Sequence, residues 1–223
     1  MTWNIYFDDE SGLKRYPAIL ETILKKQAAV VCLQEVTDVF IRLLQTSELT
    51  SHYTILGIEQ TARYKNIILT NLNVEEFGIF QLPSNMSRCA PYLKVRSEDR
   101  TLTVVNLHLE SMLEDTDIRT SQLSSVLDQT RSDMSLILCG DMNFGDDDFE
   151  SRFVKEYFQD LGAVDARVTY DVENNQIAKA TRFPGEGSRR LDRFLIKGEV
   201  EFSNYQLHLE PFSDHFPITV EIK

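Results

Sequence analysis

In Leu136-Ile137-Leu138-Cys139-Gly140-Asp141-Met142-Asn143, four apolar, strand-favouring residues run into a glycine, then into an acid and an amide two positions apart. A short apolar run of this kind predicts a strand. A glycine at its exit lets the chain turn so that both polar heads aim at one point. An Asp there can take a proton from water while an Asn fixes that water's orientation.

The same design recurs outward along the chain. Ala28–Leu33 leads into Gln34-Glu35, and Thr101–Leu107 leads into His108-Leu109-Glu110-Ser111. Further strands are predicted at Thr2–Tyr6, Asn66–Thr70, Phe194–Ile196 and Ile218–Ile222. Helical periodicity predicts helices at Pro17–Lys26, Asp38–Gln45, Asp117–Arg131 and Phe149–Phe158, with Pro17 suited to a first turn. This alternation predicts an α/β fold, and open α/β sheets build their sites at strand ends. Asp192 and Ser213-Asp214-His215, however, stand before strands. They reach the same rim only if those strands run antiparallel to the others, so the expected sheet is mixed.

With 223 residues and no repeat, low-complexity tract or Pro/Gly-rich linker, the chain reads as one domain, residues 1–223. At 42% hydrophobic and 26% charged residues it belongs to the soluble globular class. No apolar stretch is long enough to cross a bilayer, so no membrane partner is expected. Cys32, Cys89 and Cys139 include no CxxC, and their odd number without a signal peptide points to reduced thiols in an intracellular setting, nuclear or cytoplasmic. A net charge of −12 argues against a non-specific duplex binder, although a bound divalent metal supplies positive charge where phosphate docks. The basic groups Lys94, Arg96, Arg100, Arg182, Arg189, Arg190 and Arg193 read as a solvated face or, alternatively, a phosphate cradle.

Several polar residues are candidates for chemistry. Asn4 alone reads as a turn or cap residue. Glu35 reads either as a cap for the helix at Asp38 or as a ligand for a hard cation, since Mg²⁺ takes oxygen donors and few protein carboxylates. Asp214 beside His215 offers a metal or water contact next to an imidazole that can meet developing phosphoryl charge. Asp192 can supply the buried carboxylate that orients that imidazole.

Taken in order, Trp3-Asn4-Ile5, Leu33-Gln34-Glu35-Val36, Asn106-Leu107-His108-Leu109-Glu110-Ser111, Gly140-Asp141-Met142-Asn143, Arg190-Leu191-Asp192-Arg193 and Ser213-Asp214-His215 resemble the motifs of the endonuclease/exonuclease/phosphatase superfamily. Within it, the His-Leu-Glu-Ser and Leu-Asp-Arg runs resemble the 5′-tyrosyl-DNA phosphodiesterase branch. Tyr6-Phe7-Asp8 and the segment from Leu82 to Arg88 resemble relatives of that branch. The resemblance implies a four-layer α/β sandwich, two mixed β-sheets packed face to face and flanked by helices. It implies Mg²⁺, replaceable by Mn²⁺, held by Glu35 and Asn4. Asp141 and Asn143 would handle the attacking water. His215 and His108 would contact the phosphate, with Asp192 orienting His215 and Asp214 completing the network. Arg182, Phe183, Arg88 and Tyr6 would touch a nucleic-acid 5′ end bearing a protein adduct, single-stranded or frayed, and the protein would act as a monomer. The chain departs from the branch at three places: Tyr6-Phe7 replaces Asp-Gly, Gly145 replaces an Arg, and Arg182 replaces a Trp. Other superfamily activities (abasic-site endonuclease, 3′-exonuclease or deadenylase, lipid or inositol-phosphate hydrolase) and a non-catalytic phosphate-binding scaffold are the alternatives.

Overall fold

A computed structural model describes residues 1–97, 100–163 and 167–223. Twelve strands among these residues form two mixed six-stranded sheets. The first has the order β11 (Phe202–Leu207), β12 (Ile218–Ile222), β1 (Thr2–Asn4), β2 (Val30–Val36), β4 (Lys65–Thr70), β3 (Thr54–Leu56). The second has the order β5 (Val74–Gln81), β6 (Cys89–Ser97), β7 (Arg100–His108), β8 (Ser135–Asp141), β10 (Asp192–Gly198), β9 (Gln159–Leu161). Each sheet has one parallel pair at its middle, β1 with β2 and β7 with β8, and antiparallel neighbours elsewhere.

Three buried clusters explain the layering. Helices α1 (Asp9–Lys26) and α2 (Asp38–Gln45) pack Tyr16, Ile19, Ile23, Phe40 and Leu44 against Trp3, Val31, Leu33 and Ile67 on the outer face of the first sheet. Helices α3 (Thr116–Gln129) and α4 (Glu150–Tyr157) pack Leu123, Val126 and Val154 against Val105, Leu107, Leu136 and Leu138 on the second. Between the sheets lie Cys32, Ile68, Val104, Ile137, Cys139 and Phe194. Val31 and Leu33 therefore face α1 and α2 while Cys32 faces the other sheet, as period-2 alternation requires. Because both faces are buried, these central strands read as continuous apolar runs. This is the expected four-layer sandwich. A polar clasp joins the sheets beneath the site: Gln34 Nε2 donates to Asn106 Oδ1 at 2.6 Å, and Asn106 Nδ2 donates to the Leu33 and Ile67 carbonyls.

Local expectations differ from the structure in four respects. Helix α1 begins at Asp9, not Pro17. Asp8 caps it by accepting from the Glu10 and Ser11 amides, and Pro17 sits in the interior, where it removes the bond to the Leu13 carbonyl. Strand β1 ends at Asn4 because Tyr6 turns into the left-handed region at φ 60°. Strands β3, β5, β6, β9 and β11 were not expected, nor was the short helix α5 (Gln176–Thr181). Finally, Arg190 and Arg193 form neither a solvated face nor a phosphate cradle. Both are buried and share Asp146 and Asp160, the two acids offsetting two guanidinium charges.

Candidate active site

Strand register alone brings three candidate groups into a row. Asp141 is opposite His108 across the parallel β7–β8 pair and opposite Asp192 across the antiparallel β8–β10 pair. Neighbouring strands lie about 4.8 Å apart, and paired residues share a face. The expectation that Asp192 would reach the rim from an antiparallel strand holds. On the facing sheet, Asn4 is opposite Gln34, and Glu35 follows at a register shift between Leu33 and Val36. His215 and Asp214 enter from the loop ahead of β12, which runs antiparallel to β1.

Backbone geometry at this rim is specialised. Tyr6, Glu35 and Asn143 all have positive φ, of 60°, 60° and 55°, a conformation that costs a non-glycine residue about 1–2 kcal/mol. Three such residues gathered at one point re-aim side chains that plain strands would alternate away. Gly140, at φ 136°, has no alternative: a Cβ there would stand 1.9 Å from the Leu107 carbonyl oxygen.

The polar heads converge. Asn4 Nδ2 donates to Asp141 Oδ2 at 2.9 Å, and the Asn143 amide donates to Asp141 Oδ1 at 3.0 Å. Asn143 Nδ2 is held by the Leu109 carbonyl at 3.0 Å. His215 Nδ1 lies 2.7 Å from Asp192 Oδ2, with its Nε2 3.7 Å from Asp141 Oδ2. His108 Nε2 stands 3.7 Å from the same Asp141 oxygen and 3.8 Å from Glu35 Oε1. Phe7 N donates to Glu35 Oε2 at 3.0 Å. Asp141 thus stands at the centre, reached by Asn4, Asn143, His108 and His215.

The two histidines are driven in opposite directions. Burial alone would lower the His215 pKa, but Asp192, Asp141 and Asp214 outweigh it and hold the imidazole well above its ordinary value. This environment favours the charged imidazolium, which Asp192 aims. His108 falls well below its ordinary value through burial, the Arg88 guanidinium and His215. Arg88 approaches His108 Nδ1 at 3.0 Å. A guanidinium only donates, so Nδ1 accepts and the proton sits on Nε2, facing the carboxylates. One ring is a charged donor and the other a neutral donor.

Burial raises the carboxylates as well. Glu35 is pushed up to about 7 by desolvation and then by Asp214 and Asp141, against the opposing influence of the Asn4 amide and the His215 charge. Asp214 and Asp192 are also raised, chiefly by burial. Asp192 Oδ1 is buried and has no hydrogen-bond partner in the protein. Crowded oxygen donors whose ionisation is held back by one another are what a hard divalent cation relieves, so this donor set fits one. A compact trio, Asp141, Asp192 and His215, also brings ligand atoms within 4.8 Å of one another. Asp192 and His215 already engage one another through Oδ2 and Nδ1 at 2.7 Å, which leaves the Glu35 and Asn4 side of the rim as the candidate seat.

Several further residues support the site from behind. Glu110, buried, accepts from the Asn85 and Met86 amides and from Ser84 Oγ, pinning the loop that delivers Arg88. Ser111 Oγ accepts from Arg88 NH2 at 2.7 Å. Thr169 Oγ1 accepts from the Leu191 and Asp192 amides, Trp3 Nε1 donates to the His215 carbonyl, and Asn175 Nδ2 donates to the Ser213 carbonyl. Glu110, Ser111 and Trp3 lay inside motifs already quoted, though their partners could not be read there. Thr169 and Asn175 fall in no motif, and only the folded contacts single them out.

The expected substrate-contacting residues distribute unevenly. Arg88 is buried and committed to His108 and Ser111, with its guanidinium over the Tyr64 ring at 5.3 Å. Tyr64 stacks on Phe7 with centroids 5.1 Å apart, and Arg63 covers Phe7. Tyr6 is half-buried, its hydroxyl raised by burial and then by Asp214, Asp8 and Glu35. Arg182 and Phe183 are exposed, at the end of α5, whose Thr181 hydroxyl lies 3.5 Å from Asp214. One flank of the carboxylates is thus an aromatic and cationic wall, and the other an exposed Arg-Phe corner. No helix among the described residues is long and apolar enough to cross a membrane.

Residues 1–215 match the model of the endonuclease/exonuclease/phosphatase family. No curated protein matches the sequence significantly. Among solved structures, the D. rerio TDP2 complexed with single-strand DNA product superposes with a TM-score of 0.82 at 22% identity, covering 97% of this chain and 95% of that one. TDP2 from C. elegans gives 0.80 at 23% identity, covering 99% and 73%. An endonuclease/exonuclease/phosphatase from Bacteroides vulgatus gives 0.81 at 16% identity, covering 100% and 97%. At these identities the structural likeness is one of fold.

Proposed function

The chain belongs to the endonuclease/exonuclease/phosphatase family, a hydrolase fold, and from that premise we propose that it is a Mg²⁺-dependent phosphodiesterase that hydrolyses 5′-phosphotyrosyl bonds at nucleic-acid ends. The observation that carries the reading is the Asp141-centred cluster of Asn4, Asn143, His108 and His215, closed by the Asp192–His215 pair. Residues 1–223 then form one catalytic domain, acting as a monomer in an intracellular setting where its three unbridged cysteines stay reduced.

In this reading Glu35 and Asn4 hold the cation, which when bound supplies positive charge to the phosphate and to the departing oxygen. Asp141 accepts a proton from the attacking water, and Asn143 orients that water. The His215 imidazolium and the His108 Nε2–H meet phosphate oxygens as they gain charge. Asp214 extends the carboxylate network beside Glu35. Arg88 keeps His108 in its donating tautomer and presents positive charge over Tyr64. The 5′ end lies toward Arg182 and Phe183, which offer charge and a stacking face.

The neighbouring D. rerio TDP2 complexed with single-strand DNA product supports the substrate class. Tyr6, Gly145 and Arg182, which differ from that branch, favour as a second reading another phosphohydrolase activity of the family. Turnover of a 5′-phosphotyrosyl oligonucleotide, an abasic duplex and an inositol phosphate, each with Mg²⁺ and with EDTA, separates them. The proposal expects tyrosine release in Mg²⁺ only. Activity that persists in chelator removes the metal from the reading, and activity confined to the abasic or inositol substrate moves the chain to another branch.

A further inference from the structure

Arg15, on α1, is buried. Its Nε donates to Ser11 Oγ at 3.0 Å. NH1 donates to the Ile5 and Phe212 carbonyls at 3.0 and 2.7 Å, and NH2 to the Tyr6 and Asp8 carbonyls, both at 3.1 Å. A guanidinium has five N–H groups, so these five acceptors use them all, and none of the five is a carboxylate. The group also lies over the Tyr6 ring, 5.2 Å from its centroid. Burying a charge costs free energy that apolar packing does not, so the segments that own those carbonyls matter.

There are two such segments, far apart in the chain. Ile5, Tyr6 and Asp8 belong to the turn that follows β1, and Phe212 immediately precedes Ser213-Asp214-His215. The turn contains Tyr6 at φ 60°, a conformation that persists only where its surroundings over-determine it. It presents two amides to the site. Tyr6 N donates to Asn4 Oδ1 at 3.0 Å, and Phe7 N donates to Glu35 Oε2 at 3.0 Å. Both side chains at the candidate cation seat are thus aimed by amides of a turn whose carbonyls Arg15 holds. Across from it, Ser213 Oγ donates to the Asn4 carbonyl at 2.6 Å, and His215 follows two residues later. One guanidinium therefore bridges the segment that shapes the cation seat and the segment that delivers His215.

We propose, resting on the phosphodiesterase reading, that Arg15 is a positioning residue for the reaction: it fixes Asn4 and Glu35 relative to His215 by holding both segments at once. Lysine cannot replace it, because three donors radiating from one nitrogen do not span the two segments as a planar fork does. The test compares the full-length wild type with Arg15→Lys, which keeps the charge. Amide hydrogen exchange of the cation-free proteins is read by mass spectrometry. Exchange quickens about 10-fold in residues 5–8 and 212–215 together, while the β7 and β8 amides keep their wild-type rates. Calorimetric Mg²⁺ affinity and kcat on the 5′-phosphotyrosyl oligonucleotide each fall about 10- to 100-fold, the usual cost of losing a group that orients a metal ligand. KM changes less than about 3-fold, since Arg182 and Phe183 are untouched. Ser11→Ala removes only the Nε acceptor and favours the helix. It moves both segments the same way by a smaller amount, and it decides the question should Arg15→Lys fail to fold. Exchange that quickens in one segment alone, in neither, or uniformly through the chain would overturn the proposal, as would a folded Arg15→Lys with wild-type kcat and Mg²⁺ affinity. A wild type that neither turns over the oligonucleotide nor binds Mg²⁺ refutes the phosphodiesterase reading instead, and the exchange pattern still decides whether Arg15 braces the two segments.

Discussion

Asp141 touches more of the candidate chemistry than any other side chain, and its neighbours are set against one another electrostatically. This gives two predictions about single residues. Asp141→Asn and His215→Ala each lower kcat by about 10² to 10⁴, the usual loss for a positioned base or a charge-stabilising donor. Asp192→Asn does less, because it acts only by aiming and charging His215 at 2.7 Å. Steady-state rates on the phosphotyrosyl oligonucleotide measure all three, and a greater loss at Asp192 than at His215 reverses that order of roles. The second concerns Glu35, raised to about 7. A raised carboxylate binds its proton more tightly in the folded than in the unfolded chain, so the cation-free fold loses stability as pH climbs from about 4.5 through 7. Glu35→Gln should accordingly raise the Tm of EDTA-treated protein at pH 8 and leave it unchanged near pH 4. Mg²⁺ competes with that same proton, so its affinity for the wild type should be about 10-fold weaker at pH 6 than at pH 8. Calorimetric titration at the two pH values checks this, and equal affinities would remove Glu35 from the cation site.

At the scale of elements, the site depends on how two strand exits are shaped. Gly140 lets β8 pass Leu107 of β7 closely enough that Asp141 falls level with His108. Gly140→Ala demands both a forbidden φ and a Cβ 1.9 Å from a backbone oxygen. Backbone cannot yield as a flexible side chain can, so a loss of more than about 3 kcal/mol is expected. Urea unfolding measures it, and a variant of near-wild-type stability would show that β7 and β8 can part without cost. Helix α1 teaches a related lesson. An interior Pro17 is tolerated because the Asp8 cap, the acidic first turn and the Tyr16–Ile19–Ile23 face outweigh one missing hydrogen bond.

Charge is a property of the whole molecule. At −12, the protein has few places for phosphates to lie, and two of its arginines are consumed by Asp146 and Asp160. If single-stranded ends bind only near Arg88, Arg182 and the cation, three or four phosphates are neutralised. The log of affinity should then fall with log salt at a slope of about −2 to −3. Fluorescence anisotropy with a short 5′-labelled oligonucleotide over a salt series gives this slope. A much steeper one, or tighter binding of blunt duplex, contradicts a short groove.

What was legible in the sequence is what period and motif encode directly. Central strands buried on both faces are continuous apolar runs, so β2, β4, β7, β8 and β10 announced themselves, together with the polar residues at their ends and the need for a mixed sheet. Edge strands were not legible. β5 and β11 are half-exposed and rich in Glu, Asn and Gln, so no apolar pattern marks them, and only pairing with β6 and β12 makes them strands. The catalytic candidates could be named from motif order, but their protonation could not. His108 and His215 are the same residue type at similar burial, and with burial lowering both, Arg88 beside the first adds to that fall while Asp192 beside the second reverses it. Those neighbours lie 20 and 23 residues away in the chain. Electrostatic energy depends on distance in space, so only the tertiary structure decides it.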